Sequence, residues 1–99
     1  MNEQVINGHE VLSDGRTVWV NGPDGTSVAR FSPMGGIDIH KPFADQLKSG
    51  DPCLDCRPGP CTPADWDSFV AGVLEKFDVE ISETHRPLDR SFRDAGSSR

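Results

Sequence analysis

Ninety-nine residues with 34% hydrophobic content, ten glycines and eight prolines describe one small, loop-rich domain with a modest core. The net charge of −6 is uneven: residues 82–99 hold Arg86, Arg90, Arg93 and Arg99 against Glu83, Asp89 and Asp94, a net of +1, which leaves −7 on residues 1–81. An acidic body disfavours non-specific binding to nucleic acid or an anionic membrane. No apolar run is long enough to span a bilayer, no signal peptide opens the chain, and an odd count of three cysteines argues against a secreted disulfide framework, so the expected setting is cytoplasmic.

In chain order, Val5-Ile6 and Val11-Leu12 flank Asn7-Gly8 and read as a broken strand or as two edge pieces. Ser13-Asp14-Gly15 marks a turn. Arg16–Asn21 alternates, with Val18 and Val20 on one face and Thr17 and Trp19 on the other. Gly22-Pro23-Asp24-Gly25 is a strong turn signal, and Thr26–Ser32 returns as the hairpin partner, with Trp19 opposite Val28 or Ala29 according to loop length. A third strand, Ile37–His40, places Ile37 and Ile39 inward and Asp38 and His40 outward. Lys41–Lys48 has the Phe43/Leu47 spacing of a short helix, and Asp51–Cys61, with three prolines, reads as an irregular loop.

The spacing predicts one long helix over Thr62–Phe77. Trp66, Phe69, Val70, Val73, Leu74 and Phe77 form a single apolar stripe. Thr62 and Asp65 form a capping box, and Pro63 suits the first helical position. Val79-Glu80-Ile81 reads as an edge strand, and beyond Ser82 the apolar residues thin to Leu88, Phe92 and Ala95. The expected fold is therefore α+β: a small antiparallel sheet of three to four strands packed against one main C-terminal helix, with an additional short helix. Residues 1–81 form the domain and residues 82–99 a flexible tail.

The chemistry-bearing cluster is Cys53-Leu54-Asp55-Cys56 with Cys61 after it and His40 before it. A C-x2-C knuckle points two thiolates at one ion, and a third cysteine with an imidazole would close a tetrahedral zinc site of His40, Cys53, Cys56 and Cys61. The alternative is that the cysteines are half-buried apolar residues under the helix. A thiol-redox role is disfavoured because Pro58, Gly59 and Pro60 forbid a helix after Cys56. Asp38 shares a strand face with His40 and can orient its ring. The glycine clusters lack phosphate-loop or dinucleotide spacing, and no nucleophile–base set is evident.

Val28-Ala29-Arg30-Phe31, Gly36-Ile37-Asp38-Ile39-His40, Cys53-Leu54-Asp55-Cys56 and Ala64-Asp65-Trp66 with Phe69 together resemble a set of short phage and bacterial proteins to which no activity is assigned. In that set a G-[IV]-D-[IV]-H segment precedes C-L-x-C and an A-D-W helix. The resemblance spans about half the chain, from the second hairpin strand to the long helix. It implies a phage or mobile-element accessory protein and brings no functional residues with it.

Three readings follow. The first is a non-enzymatic accessory protein that binds and modulates a host or partner protein through an acidic surface, with counter-defence as one such role and with Asp24, Asp38, Asp55, Asp65 and Asp67 as contact residues. The second is a small-ligand or nucleotide binder using Trp19, Arg30, Asp38 and His40. The third is a zinc-stabilised Cys/His module or a thiol redox protein.

Overall fold

Asn7-Gly8 folds the start of the chain into a hairpin, since both residues take the positive φ (52° and 75°) that a two-residue hairpin turn requires. The computed structural model describes residues 2–42 and 53–92. The hairpin joins β1 (Asn2–Ile6) to β2 (His9–Ser13), and the chain continues as a meander through β3 (Val18–Asn21), β4 (Ser27–Ser32), β5 (Gly36–His40) and β6 (Cys53–Pro58). Every neighbour pair is antiparallel, and the sheet order is β1-β2-β3-β4-β5-β6. The expected three to four strands are thus corrected to six. Asp51–Cys61 is not an irregular loop throughout, because Cys53–Pro58 pairs along β5. Pro58 is tolerated because β6 is an edge strand, where one side of the backbone needs no ladder partner.

Local side chains set the turns. The Asp14 carboxylate accepts the amides of Arg16 (2.9 Å) and Thr17 (2.8 Å), which holds its pKa below the ordinary carboxylate value. Asp24 accepts from the Thr26 amide at 2.9 Å in the β3–β4 turn. A register shift between Val20 and Asn21 places Trp19 opposite Arg30, so neither Val28 nor Ala29 is its partner.

Among the described residues there is a single α-helix, α1 (Pro63–Phe77). The additional short helix expected over 41–48 falls largely outside the described residues; Lys41 and Pro42 are not helical. Asp65 accepts from the Thr62 amide at 2.8 Å, and Asp78 closes the C-terminus in the left-handed conformation with its amide on the Leu74 carbonyl. Trp66, Phe69 and Val73 are fully buried, while Leu74 remains 45% exposed at the edge of the stripe. They meet the inner face of β4 and β5, where Phe31 touches Trp66 edge-on at 5.2 Å and Phe69 at 5.4 Å.

One helix cannot cover six strands, and the C-terminal segment completes the layer. Val79, Ile81, His85 and Phe92 are all buried, with Phe92 6.0 Å from Phe31. Val79–Ile81 is not a strand; it is tied to β1 by the Gln4 side chain, which donates to the Glu80 carbonyl and accepts from the Ser82 amide. The tail boundary expected at Ser82 is corrected accordingly. Glu83–His85 and Asp89–Ser91 form short 3-10 turns, and the Leu88 amide donates to the Gly15 carbonyl at 3.0 Å. Few apolar residues suffice here because the uncovered half of the inner sheet face supplies the surface they need.

His85 is buried against β2, with Nδ1 2.7 Å from the Ser13 hydroxyl and Nε2 lacking a partner among the described residues. Burial penalises the imidazolium and pushes the His85 pKa below its ordinary value of 6.5. The unfolded chain therefore takes up a proton that the folded chain refuses. Stability should be complete above that value and fall as pH drops below it. Thermal melts between about pH 7.5 and about pH 5 should show this loss, and His85→Leu should have a shallower dependence than the parent. Equal slopes would mean that His85 does not govern it.

Candidate functional site

The sheet has two unlike faces. Alternation turns Val18, Val20, Phe31, Ile37 and Ile39 toward α1 and the C-terminal segment, and turns Trp19, Arg30, Asp38 and His40 to the other side. Trp19, Ser27, Ala29, Arg30, Asp38 and His40 line a shallow depression on that outer face, where Arg30 is about half exposed. Arg30 donates to Asp38 Oδ2 at 2.8 Å across β4 and β5. The grouping of Trp19, Arg30, Asp38 and His40 expected for a ligand site is thus present.

Cys56 joins this face because it pairs with Asp38. Residues three apart in a regular strand point to opposite sides. Here the register shifts between Ile39 and His40, so Cys53 pairs with His40 and falls on the same side as Cys56. The two cysteines are joined in a disulfide, with Cα atoms 6.2 Å apart. Ligand atoms of Asp38, His40 and Cys56 all lie within 4.8 Å of one another.

The expected zinc set is redrawn by this geometry. His40 and Cys56 are brought together with Asp38, a carboxylate outside that set. Cys53 is bonded to Cys56 rather than standing as a separate thiolate. Cys61 is 2% exposed in the core on the helix side, and its amide donates to the Pro33 carbonyl. Burial, reinforced by nearby Asp65, pushes the Cys61 thiol pKa up. Its role is packing.

No protein family, curated protein or solved structure matches the chain.

The carboxylates expected to face a basic partner lie on different elements, and most are engaged within the chain. Asp24 serves its turn, Asp38 pairs with Arg30, and Asp55 and Asp65 both flank Arg57, at 3.2 and 3.9 Å. Asp67 stands exposed on α1. No helix among the described residues is long and apolar enough to cross a membrane.

Proposed function

We propose that this protein is a small, non-enzymatic binding module that takes up a zinc-class divalent cation on the outer face of its sheet, through Asp38, His40 and the Cys56 thiolate. The observation that carries this reading is the convergence of three chemically different donors within 4.8 Å. Tetrahedral zinc with bonds of about 2.0–2.3 Å needs ligand atoms about 3.3–3.8 Å apart, which small side-chain rotations from that spacing supply. Arg30 holds one carboxylate oxygen of Asp38 and leaves the other for a cation, an outer contact of the kind that orients metal ligands. A mixture of oxygen, nitrogen and sulfur donors suits zinc better than magnesium or calcium.

A disulfide sulfur is a poor ligand, so the thiolate form requires reduction. A dithiol reductant supplies two electrons and two protons, becomes a disulfide itself, and leaves Cys53 and Cys56 as thiols. Cation binding then releases the Cys56 proton to solvent, and Cys53, paired with His40 in the sheet, would supply a fourth ligand.

The test is zinc titration of metal-free protein against a chromophoric chelator, with and without a phosphine reductant. Reduced protein should bind about one ion per chain. Asp38→Asn and His40→Ala should each weaken binding by about 10–100-fold, the loss typical of a disturbed metal shell. Cys61→Ala should leave the affinity unchanged. Equal affinity of oxidised and reduced protein, or of the parent and His40→Ala, would remove the proposal.

A further inference from the structure

A second cleft lies at the opposite end of β4, away from the outer-face donors, lined by Arg16, Thr17, Ser32, Pro33, Met34, Arg90 and Ser91. We propose that it binds a phosphate-class oxyanion carried on a small organic group. Two arginines from distant parts of the sequence line this cleft in a chain of net charge −6, and neither guanidinium has an acidic group within 4.0 Å among the described residues. Their nearest acids in sequence are already engaged. Asp14 Oδ1 accepts from the amides of Arg16 and Thr17, so it shapes the turn that carries Arg16. Asp89 is held by Arg86 at 2.6 Å, and Arg86 in turn lies over the Phe92 ring at 5.2 Å.

The backbone fixes the two arginines relative to each other. The Leu88 amide donates to the Gly15 carbonyl at 3.0 Å, which joins the residue before Arg16 to the residue that opens the turn carrying Arg90 and Ser91. Hydroxyls complete the donor set. Ser32 Oγ accepts from the Gly35 amide at 3.1 Å and keeps its own proton to donate, and Thr17 and Ser91 add two more hydroxyls. Two forked guanidiniums and three hydroxyls match an anion with several equivalent oxygens better than a single carboxylate. The cavity, about 300 Å³, is at the small end of ligand sites, and Pro33 with exposed Met34 gives it one apolar wall for the organic group.

Two-dimensional amide NMR of the full chain, titrated at constant ionic strength with phenyl phosphate, inorganic phosphate, acetate or chloride, tests this site. Saturable shifts of the Thr17, Gly35 and Ser91 amides are expected with both phosphates, tighter for phenyl phosphate, and not with acetate or chloride. Arg16→Gln with Arg90→Gln should weaken phenyl phosphate binding at least about tenfold, the loss expected when hydrogen bonds to a charged group are removed. Arg16→Gln alone, on an exposed turn, serves if the double variant does not fold, and should weaken binding several-fold. Shifts that chloride reproduces, or binding unchanged by either variant, would overturn the proposal. Both outcomes are independent of zinc binding at Asp38, His40 and Cys56.

Discussion

Phe31→Ala should cost about 3–5 kcal/mol, the range for deleting a buried phenyl ring from a core that only partly collapses. Phe31 is the ring on which three segments converge. Trp66, Phe69 and Phe92 pack on it at centroid distances of 5.2, 5.4 and 6.0 Å. Its removal therefore loosens both the helix and the C-terminal segment from the middle of the sheet. A domain of this size has a total stability of about 5–15 kcal/mol, so the loss takes a large share of it. Thermal denaturation should show a midpoint lower by roughly 12–40 °C. Leu74→Ala on the same helix is the comparison: Leu74 is 45% exposed and should lose less than about 1 kcal/mol. A small effect at Phe31 would mean that the helix does not pack on β4 as described.

Gly36→Ala should cost about 3 kcal/mol or more, through two separable terms. Gly36 has φ +114°, which side-chain-bearing residues rarely adopt, and a Cβ there would lie 2.2 Å from the Arg57 carbonyl oxygen and 2.8 Å from the Gly59 nitrogen. Both obstacles are backbone atoms of β6 or the residue after it, so the strand pair itself must part. Gly25→Ala isolates the first term: its φ is +85° and a methyl group there would meet nothing within 4 Å, so only about 1–2 kcal/mol of backbone strain is expected. The difference between the two variants in chemical denaturation measures the clash. Because β5–β6 pairing sets Asp38 opposite Cys56, Gly36→Ala should also weaken the proposed zinc binding by the reduced protein. Equal costs at Gly36 and Gly25 would refute the close approach of β6.

The helix was legible because its signals are local. A stripe at helical spacing, a capping box and a proline at the first turn all lie within Thr62–Phe77, and α1 starts and ends there within a residue. The three middle strands were legible for the same reason, since Val18 and Val20, or Ile37 and Ile39, show their alternation in four or five residues. β1 and β2 were harder. Their inner positions include Asn2, Gln4 and Ser13, polar residues that a sequence does not mark as facing inward, and only Asn7-Gly8 announced the hairpin. β6 was hidden by the three prolines in and around it, of which only Pro58 lies in the strand, where an edge position accepts it.

Asp38 and His40 could be assigned to a common face from the sequence alone, because side-chain direction along one strand follows from a period of two. The place of the cysteines could not. A bulge between Ile39 and His40, a property of two strands together, turns Cys53 and Cys56 to the same side and sets Cys56 beside Asp38. The separation of Cys61 from them likewise depends on which side of the sheet the chain crosses before the helix begins. The fate of residues 82–92 is also non-local: Phe92 and His85 are buried only because one helix leaves half of the inner sheet face uncovered. Short-range periodicity and capping thus determined the helix, the middle strands and the Asp38–His40 face. Strand count, the cysteine pairing and both candidate sites were decided by contacts between distant segments, whose energies no single stretch of sequence contains.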